Sequence, residues 1–380
     1  MDFTLDKKHE MARTLFREFA EKEVKPLAIE VDETEIFPRE TVNKMAKYGF
    51  LGIPVAKEFG GQGAEPLAYV MCVEEIAKVC ATTAVIVSAH TSLCADPIAM
   101  YGTPAQKEKY LIPLAKGEKL GAFALTEPNA GTDAQGAVTT ATLDNDEYVL
   151  NGSKIFITNG KEADIYVVIA CTEVKVDAKG RKKKIFSAFL VEKGTPGFNF
   201  GTKEKKMGIR GSSTYELIFN DCRVPKENML GPAGKGFGIA MHTLDGGRIG
   251  IAAQALGIAE GALERTIAYV KERKQFGRTI SAFQNTQFEL ANMATKVKAA
   301  RWQKIADEAA KQCGRRMLMR VAPIVSLTEL LRDPAYIDAA DTATVFCYEQ
   351  EERQSMRTVL RGTEARRVTL IVGAEGGFSP

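Results

Sequence analysis

The sequence contains no apolar run of 18 residues, so nothing in it reads as a membrane-spanning helix. Its first residues, MDFTLDKKHEMARTLF, are already amphipathic, which argues against a secretory leader. Histidine is scarce: His9, His90 and His242 stand far apart and suggest no metal-ligating cluster. Cysteine occurs seven times (72, 80, 94, 171, 222, 313, 347) without one C-x-x-C pair, and the number is odd. Neither a zinc site nor a disulfide framework fits that pattern, and reduced thiols in a cytoplasmic protein are the expectation. Net charge is nearly absent too: 51 basic residues against 48 acidic ones give +3, too little to draw the whole chain to nucleic acid. There is no G-x-x-x-x-G-K-[ST] phosphate loop. Gly234, Gly236 and Gly238 precede a helical stretch, but no strand comes closely before them and no acidic partner follows at dinucleotide-fold spacing. They read as a flexible helix entry.

What is present is an ordinary soluble composition, 45% apolar and 26% charged, in 380 residues, enough for two or three domains. Met11, Leu15 and Phe19, spaced by four, predict a helix over 6–30, and further helical stretches follow at 38–49, 67–80 and 105–116. From about 120 to 225 the pattern changes to strands: TTATL (139–143), YVLNGSKIFIT (148–158), DIYVVIAC (164–171), IFSAFLV (185–191) and STYELIFND (213–221). DND (144–146) and KGTPG (193–197) supply turns, and the lysine-rich VDAKGRKKK (176–184) reads as a solvated hairpin tip. Long helices return at 236–270 and 283–311. The layout is α, then β, then α.

Two segments stand out chemically. GAFALTEPNAGTDAQG (121–136) is a polar, glycine-containing loop whose backbone N–H groups and Thr126 and Thr132 hydroxyls could bond a ring edge or a pyrophosphate. NGSKIFITNG (151–160) ends a strand with Phe156 and Thr158, an aromatic face beside a hydroxyl. Taken one at a time, each is equally well a turn or a core strand. With KMGIRGSSTYELIFNDCRVPKENMLG (206–231), TLDGGRIGIAAQALGIAEGAL (243–263) and ERKQFGRTISAFQ (272–284) in order, residues 1–300 resemble the acyl-CoA dehydrogenase family, near its butyryl-CoA or short-chain branch.

The resemblance implies an α+β multidomain chain: an N-terminal helical domain (1–120), a central antiparallel β domain with the flavin loop (121–232), and the first helices of a C-terminal bundle, here truncated (233–300). It implies FAD, a short-chain acyl-CoA oxidised to the trans-2-enoyl thioester, an electron-transferring flavoprotein as acceptor, and a homo-oligomer, a tetramer in this family. Phe123, Leu125, Thr126 and Thr132 match the family's flavin loop, and Phe156 and Thr158 match residues beside the ring. Arg273, Phe276 and Gln284 match positions that reach FAD partly across a subunit interface, and Asp245 and Arg248 match positions contacting CoA.

The family's chemistry needs a carboxylate to take the substrate's α proton while hydride leaves the β carbon. The short-chain branch carries it near the C-terminal end in a Y-E-G-T-x-E type motif, which this sequence lacks; Tyr348-Glu349 is followed by Gln-Glu-Glu-Arg. The position used in other branches is Gly247 here, with no proton acceptor. The resemblance therefore assigns no catalytic residue to this chain, and slow turnover is the expectation.

Residues 301–380 differ in usage: 2 Lys and 10 Arg, against 29 Lys and 10 Arg before them. RWQKIADEAAKQCGRR (301–316), VSLTELL (325–331) and RRVTLIVGAEGGFSP (366–380) resemble the trefoil-knot 16S rRNA uridine methyltransferases, which implies a short α/β fragment. By that resemblance Gly373, Glu375, Gly376 and Gly377 form an S-adenosylmethionine loop, with Ala374 where the family has proline. The family's RNA-binding barrel and second cofactor loop are not in the sequence, so the alternatives are an incomplete methyltransferase or a non-enzymatic chimaera.

Overall fold

The computed structural model describes residues 5–176, 180, 182–312, 342–347 and 367–372. The chain divides into two units, Met1–Val321 and Ala322–Pro380.

The first unit opens with helices α1 (Lys7–Phe19), α2 (Ala28–Thr34), α3 (Arg39–Lys47), α4 (Pro66–Ala77), α5 (Ala81–Ser88), α6 (Asp96–Tyr101), α7 (Pro104–Gln106) and α8 (Ile112–Ala115). Local chemistry starts several of them. Asp6 accepts the His9 N–H at 2.8 Å, and Thr103 with Gln106 forms a reciprocal capping box that satisfies first-turn donors. The helix predicted over 6–30 is broken by a π-helical segment at Ala20–Val24 and a tight turn at Lys25–Leu27, where Pro26 cannot continue the ladder. Residues 81–101, for which the sequence reading predicts no element, are helical throughout, with a π-helical stretch at Ala89–Ala95. Phe16, Phe19, Phe50, Met45, Ile76 and Ile86 close the core of this layer.

The strands are β1 (Gly121–Ala124), β2 (Thr140–Asp144), β3 (Glu147–Thr158), β4 (Ile165–Val176), β5 (Lys182–Glu192), β6 (Phe198–Lys203), β7 (Thr214–Pro225) and β8 (Met229–Leu230). Among the described residues they form one sheet in the order β6-β7-β3-β2-β4-β5-β8, with β1 beside β4. Pairing is antiparallel except that β1 lies parallel to β4 (Phe123↔Val167) and β2 touches β4 in parallel at Thr140↔Cys171. β4 is buried on both faces. Ile165, Val167 and Ile169 meet the helical layer, while Tyr166, Val168 and Ala170 meet the opposite core with Phe189, Phe198 and Phe219. The sequence reading does not predict β1 or β6; β1 falls inside the segment read as loop.

α9 (Gly236–Glu272) leaves the sheet where Gly234, at φ +73°, turns the chain and donates its N–H to Ser187 Oγ at 3.0 Å. A Cβ on Gly236 would run into the Ser187 backbone, so the glycines of the helix entry serve close approach as well as turning. α9 packs on α4, α5 and β5, and after the short hairpin β9 (Lys274–Gln275) and β10 (Arg278–Thr279) comes α10 (Gln284–Gln312). Arg301 on α10 reaches Glu74 of α4 at 2.8 Å and also meets Glu260 of α9.

The second unit contributes β11 (Thr342–Cys347) and β12 (Arg367–Val372), a parallel pair with Val345 opposite Leu370. β12 lies within RRVTLIVGAEGGFSP, and the loop residues Gly373, Glu375, Gly376 and Gly377 lie outside the described residues. Among the described residues no helix is long and apolar enough to cross a membrane, and no group of His, Cys, Asp or Glu is placed to hold a metal ion.

Candidate functional site

A cavity of about 570 Å³ opens where the β1 end, the loop after it, the β3 end, the π-helical stretch and the first turns of α9 converge. Seven residues singled out by sequence line it: Phe123, Leu125, Thr126, Thr132, Phe156, Thr158 and Arg248. Sequence reasoning misses Ala89 and Leu93 from the π-helical stretch, Asp133 and Gln135 from the loop, and Phe237, Met241 and Leu244 from α9. The last three, with Arg248, are spaced by four, three and four, one face of a helix.

Asp245 does not line the cavity but stands 2.5 Å from Arg248 in an i,i+3 pair. Arg273, Phe276 and Gln284 lie away from it and are exposed, Phe276 by 93%. Gly247, the position that the resemblance gives to the base in other branches, faces Leu93; a Cβ there would stand 2.7 Å from the Leu93 Cδ2, so a side chain would have to displace that leucine.

Phe156 owes its place to the strand. Along β3, Tyr148, Leu150 and Lys154 are buried on one face, a parity interrupted by the exposed Gly152 at a first register shift. A bulge between Lys154 and Ile157 then reverses the sense. Ile157 becomes buried, and Phe156, at φ +60°, stands 58% exposed in the cavity wall.

Behind this wall Lys154 and Glu127 are paired at 2.7 Å, out of water. Burial works to raise the Glu127 carboxyl, but the Lys154 ammonium and the Thr139 and Val138 amides outweigh it and hold the group below its ordinary range. Glu127 is therefore an ion-pair partner and not a free base. Below the loop, burial pulls His90 down to about 4, against the Leu114 and Leu51 carbonyls. Neutral His90 accepts the Gly121 N–H at Nδ1, 3.0 Å away, which puts its proton on Nε2. The cysteines described, Cys72, Cys80, Cys94, Cys171 and Cys222, are free and buried. Burial pushes the Cys94 thiol up to about 12 and so makes it a poor nucleophile.

The cavity suits a flat, partly polar ring. Phe123, Phe156, Phe237, Leu125 and Met241 offer apolar faces, and Thr126, Thr132 and Thr158 offer hydroxyls at its edge. The sequence patterns that define the N-terminal, middle and C-terminal domains of acyl-CoA dehydrogenases match residues 6–118, 122–222 and 234–342. A short-chain specific acyl-CoA dehydrogenase of Clostridium acetobutylicum is 57% identical over 314 residues, 83% of this chain and 82% of the relative. The chain belongs to the acyl-CoA dehydrogenase family. Family members are FAD oxidoreductases acting on CH–CH bonds, and FAD is the cofactor here. Among solved structures, butyryl-CoA dehydrogenase from Megasphaera elsdenii superimposes with a TM-score of 0.79 at 50% identity, covering 83% of this chain and 82% of that one. A chain in the structure described as the electron transferring flavoprotein of Acidaminococcus fermentans gives 0.78 at 54%, with the same coverage.

The third domain match runs past residue 300 to 342, so the family resemblance does not stop where lysine usage changes. These matches lend no support to the methyltransferase resemblance of the tail, to a chimaera, or to the expected loss of turnover.

Proposed function

We propose that the chain oxidises the Cα–Cβ bond of a short-chain acyl-CoA to the trans-2-enoyl thioester, with an electron-transferring flavoprotein as the acceptor. The observation that carries this is the convergence of both sequence motifs, 123–132 and 156–158, on one cavity whose far side is α9 with Arg248. When bound, FAD supplies the two-electron acceptor for the hydride leaving the β carbon. The hydroxyls of Thr126 and Thr132 on the loop and of Thr158 at the end of β3 would hold its polar edge, and Phe156 would pack against its ring. Arg248 lies at the cavity wall and, oriented by Asp245, meets the CoA part of the substrate. Arg273, Phe276 and Gln284, exposed and away from the cavity, serve the cofactor of a neighbouring subunit in a homotetramer. The domains follow the boundaries 1–120, 121–232, 233–300 and 301–380.

Among the described residues that line the cavity, the carboxylate is Asp133, on the flavin loop; Glu127 is committed to Lys154. Anaerobic mixing of the FAD-loaded protein with butyryl-CoA, followed by flavin absorbance, tests both the function and the base. Bleaching on the order of 10 s⁻¹ would show that a proton acceptor is in place, and Glu349→Gln would be the first variant to make. Bleaching slower by about 10²–10⁴-fold, the usual contribution of a placed base, would show that no proton acceptor is in place. No bleaching by any short-chain acyl-CoA overturns the reading.

A further inference from the structure

The β side of the cavity is tied together at one buried point that the function above does not use. Lys154 is 0% exposed and Glu127 3%. Lys154 Nζ donates to Glu127 Oε1 at 2.7 Å and to the Leu125 carbonyl at 3.0 Å. The carboxylate is filled from the other side: Oε1 accepts the Thr139 N–H at 3.0 Å and Oε2 the Val138 N–H at 2.6 Å. Next to the pair, the Ile155 N–H donates to the Thr126 carbonyl at 2.8 Å. Three chain segments meet here: the loop after β1, the approach to β2, and β3 at its bulge.

We propose that Lys154 and Glu127 are positioning residues for the FAD site, setting the β3 bulge so that Phe156 faces the cavity beside Thr126 and Thr158. The proposal rests on the reading of this cavity as the flavin site. Three observations carry it. Strand alternation from Tyr148 through Leu150 and Lys154 would place Phe156 on the buried side, and the bulge that reverses it begins at Lys154 itself. Phe156 holds a left-handed conformation, which a bulky residue keeps only where its surroundings over-determine the chain. The bonds of Lys154 and Ile155 do this from the residues just before it. Lastly, a buried ion pair is a weak source of stability beside an apolar pair of the same shape. Its directional bonds instead fix the spacing of segments that apolar packing leaves adjustable.

The test compares the wild-type chain, Lys154→Met, and the double variant Glu127→Gln/Lys154→Met. Each is titrated with FAD by fluorescence quenching, its bound-flavin absorption spectrum is recorded, and its melting temperature is measured. Lys154→Met strands a buried carboxylate and should melt lower. The double variant removes both charges and should melt near wild type, yet bind FAD about tenfold more weakly with shifted flavin bands. A double variant that melts normally and keeps the wild-type Kd and spectrum would show the pair to be purely structural and overturn the proposal. Should the double variant melt as low as the single one, Glu127→Asp takes its place, keeping both charges but shortening the reach. An unchanged FAD Kd there overturns the proposal equally, and a weakened one on a normally melting protein supports it. A wild-type chain without affinity for FAD would instead sink the reading of the cavity, and the inference with it.

Discussion

The β wall of the cavity is fixed by directional bonds, whereas the helical wall is fixed by missing side chains. On the β side, four hydrogen bonds converge on Lys154 and Glu127, and the backbone around them is bulged and partly left-handed. On the α9 side, glycines press the helix onto its neighbours: a Cβ on Gly257 would run into the Glu74 carbonyl, and one on Gly261 into the Lys78 carbonyl. A wall of the first kind should be sensitive to the loss of a partner, and one of the second kind to the gain of an atom. The largest effect therefore belongs to the β wall. Lys154→Met alone leaves Glu127 charged, buried and without its cation, a change that typically costs about 3–5 kcal/mol. Urea unfolding at pH 7 measures it, and a loss below about 1 kcal/mol would mean that the carboxylate is effectively solvated and the wall is not held as described.

The seam between the walls gives the next largest effect, and it is a pH effect. His90 joins the π-helical stretch to β1 through the Gly121 N–H, and its folded pKa is about 4. In the unfolded chain it returns to its ordinary value of about 6.5. Between those values the unfolded chain holds a proton that the folded chain refuses, so stability falls as pH drops from about 6.5 to about 4. At 1.36 kcal/mol per unit the loss approaches roughly 3 kcal/mol at the low end. Urea midpoints at pH 7, 5 and 4 for wild type and His90→Gln isolate it, because the variant should lack that part of the slope. Equal slopes would mean that His90 is protonated, or hydrated, in the fold.

Smaller again is the cost of one methyl group on the helical wall. Gly257→Ala should lose about 1–3 kcal/mol, since α9 must shift away from the α4 carbonyl. Gly238 provides the control on the same helix, because a Cβ there meets nothing within 4 Å. Gly238→Ala should be neutral or gain up to about 1 kcal/mol by narrowing the unfolded ensemble. Thermal melts of both variants side by side would break the contrast if they moved together.

The same two kinds of wall explain what the sequence made legible. Phe123, Leu125, Thr126, Thr132, Phe156 and Thr158 were found because they sit in short contiguous strings, and a string survives any error about the fold around it. Leu93 and Ala89 were missed because 81–101 is apolar and β-branched almost throughout, with no period for an amphipathic reading to detect. β1 was read as loop because GAFA has two alanines and a glycine and is buried at every position, so strand alternation gives no sign of it. Lys154 was hidden by its type: a lysine in a strand reads as solvent-facing, although its even-numbered position places it with Tyr148 and Leu150. A buried parity carrying a charge is the available signal; its partner, Glu127, 27 residues earlier, comes only from the fold. The proton acceptor offers no such string, because the Y-E-G-T-x-E type motif is not in the sequence.

The smallest effect concerns the side of the helical wall that faces away from the cavity. Ile251 and Ile258 on α9 and Phe288 and Met293 on α10 are exposed, Phe288 by 64%. Their surroundings in a single chain are mostly water, so Phe288→Ser should change the stability of that chain by no more than about 0.5 kcal/mol. In the proposed homotetramer the same change removes a large apolar side chain from a buried face, and association should weaken while folding does not. Sedimentation velocity over a range of protein concentrations, paired with urea unfolding in dilute solution, separates the two. A chain that loses more than about 1 kcal/mol on its own would show that Phe288 is packed within its own subunit and not against a second copy. Unchanged stability with a lower assembled fraction would place Arg273 and Phe276, on the segment that precedes α10, and Gln284, its first residue, within reach of a neighbour. FAD affinity measured on the dissociated chain would then read their contribution directly.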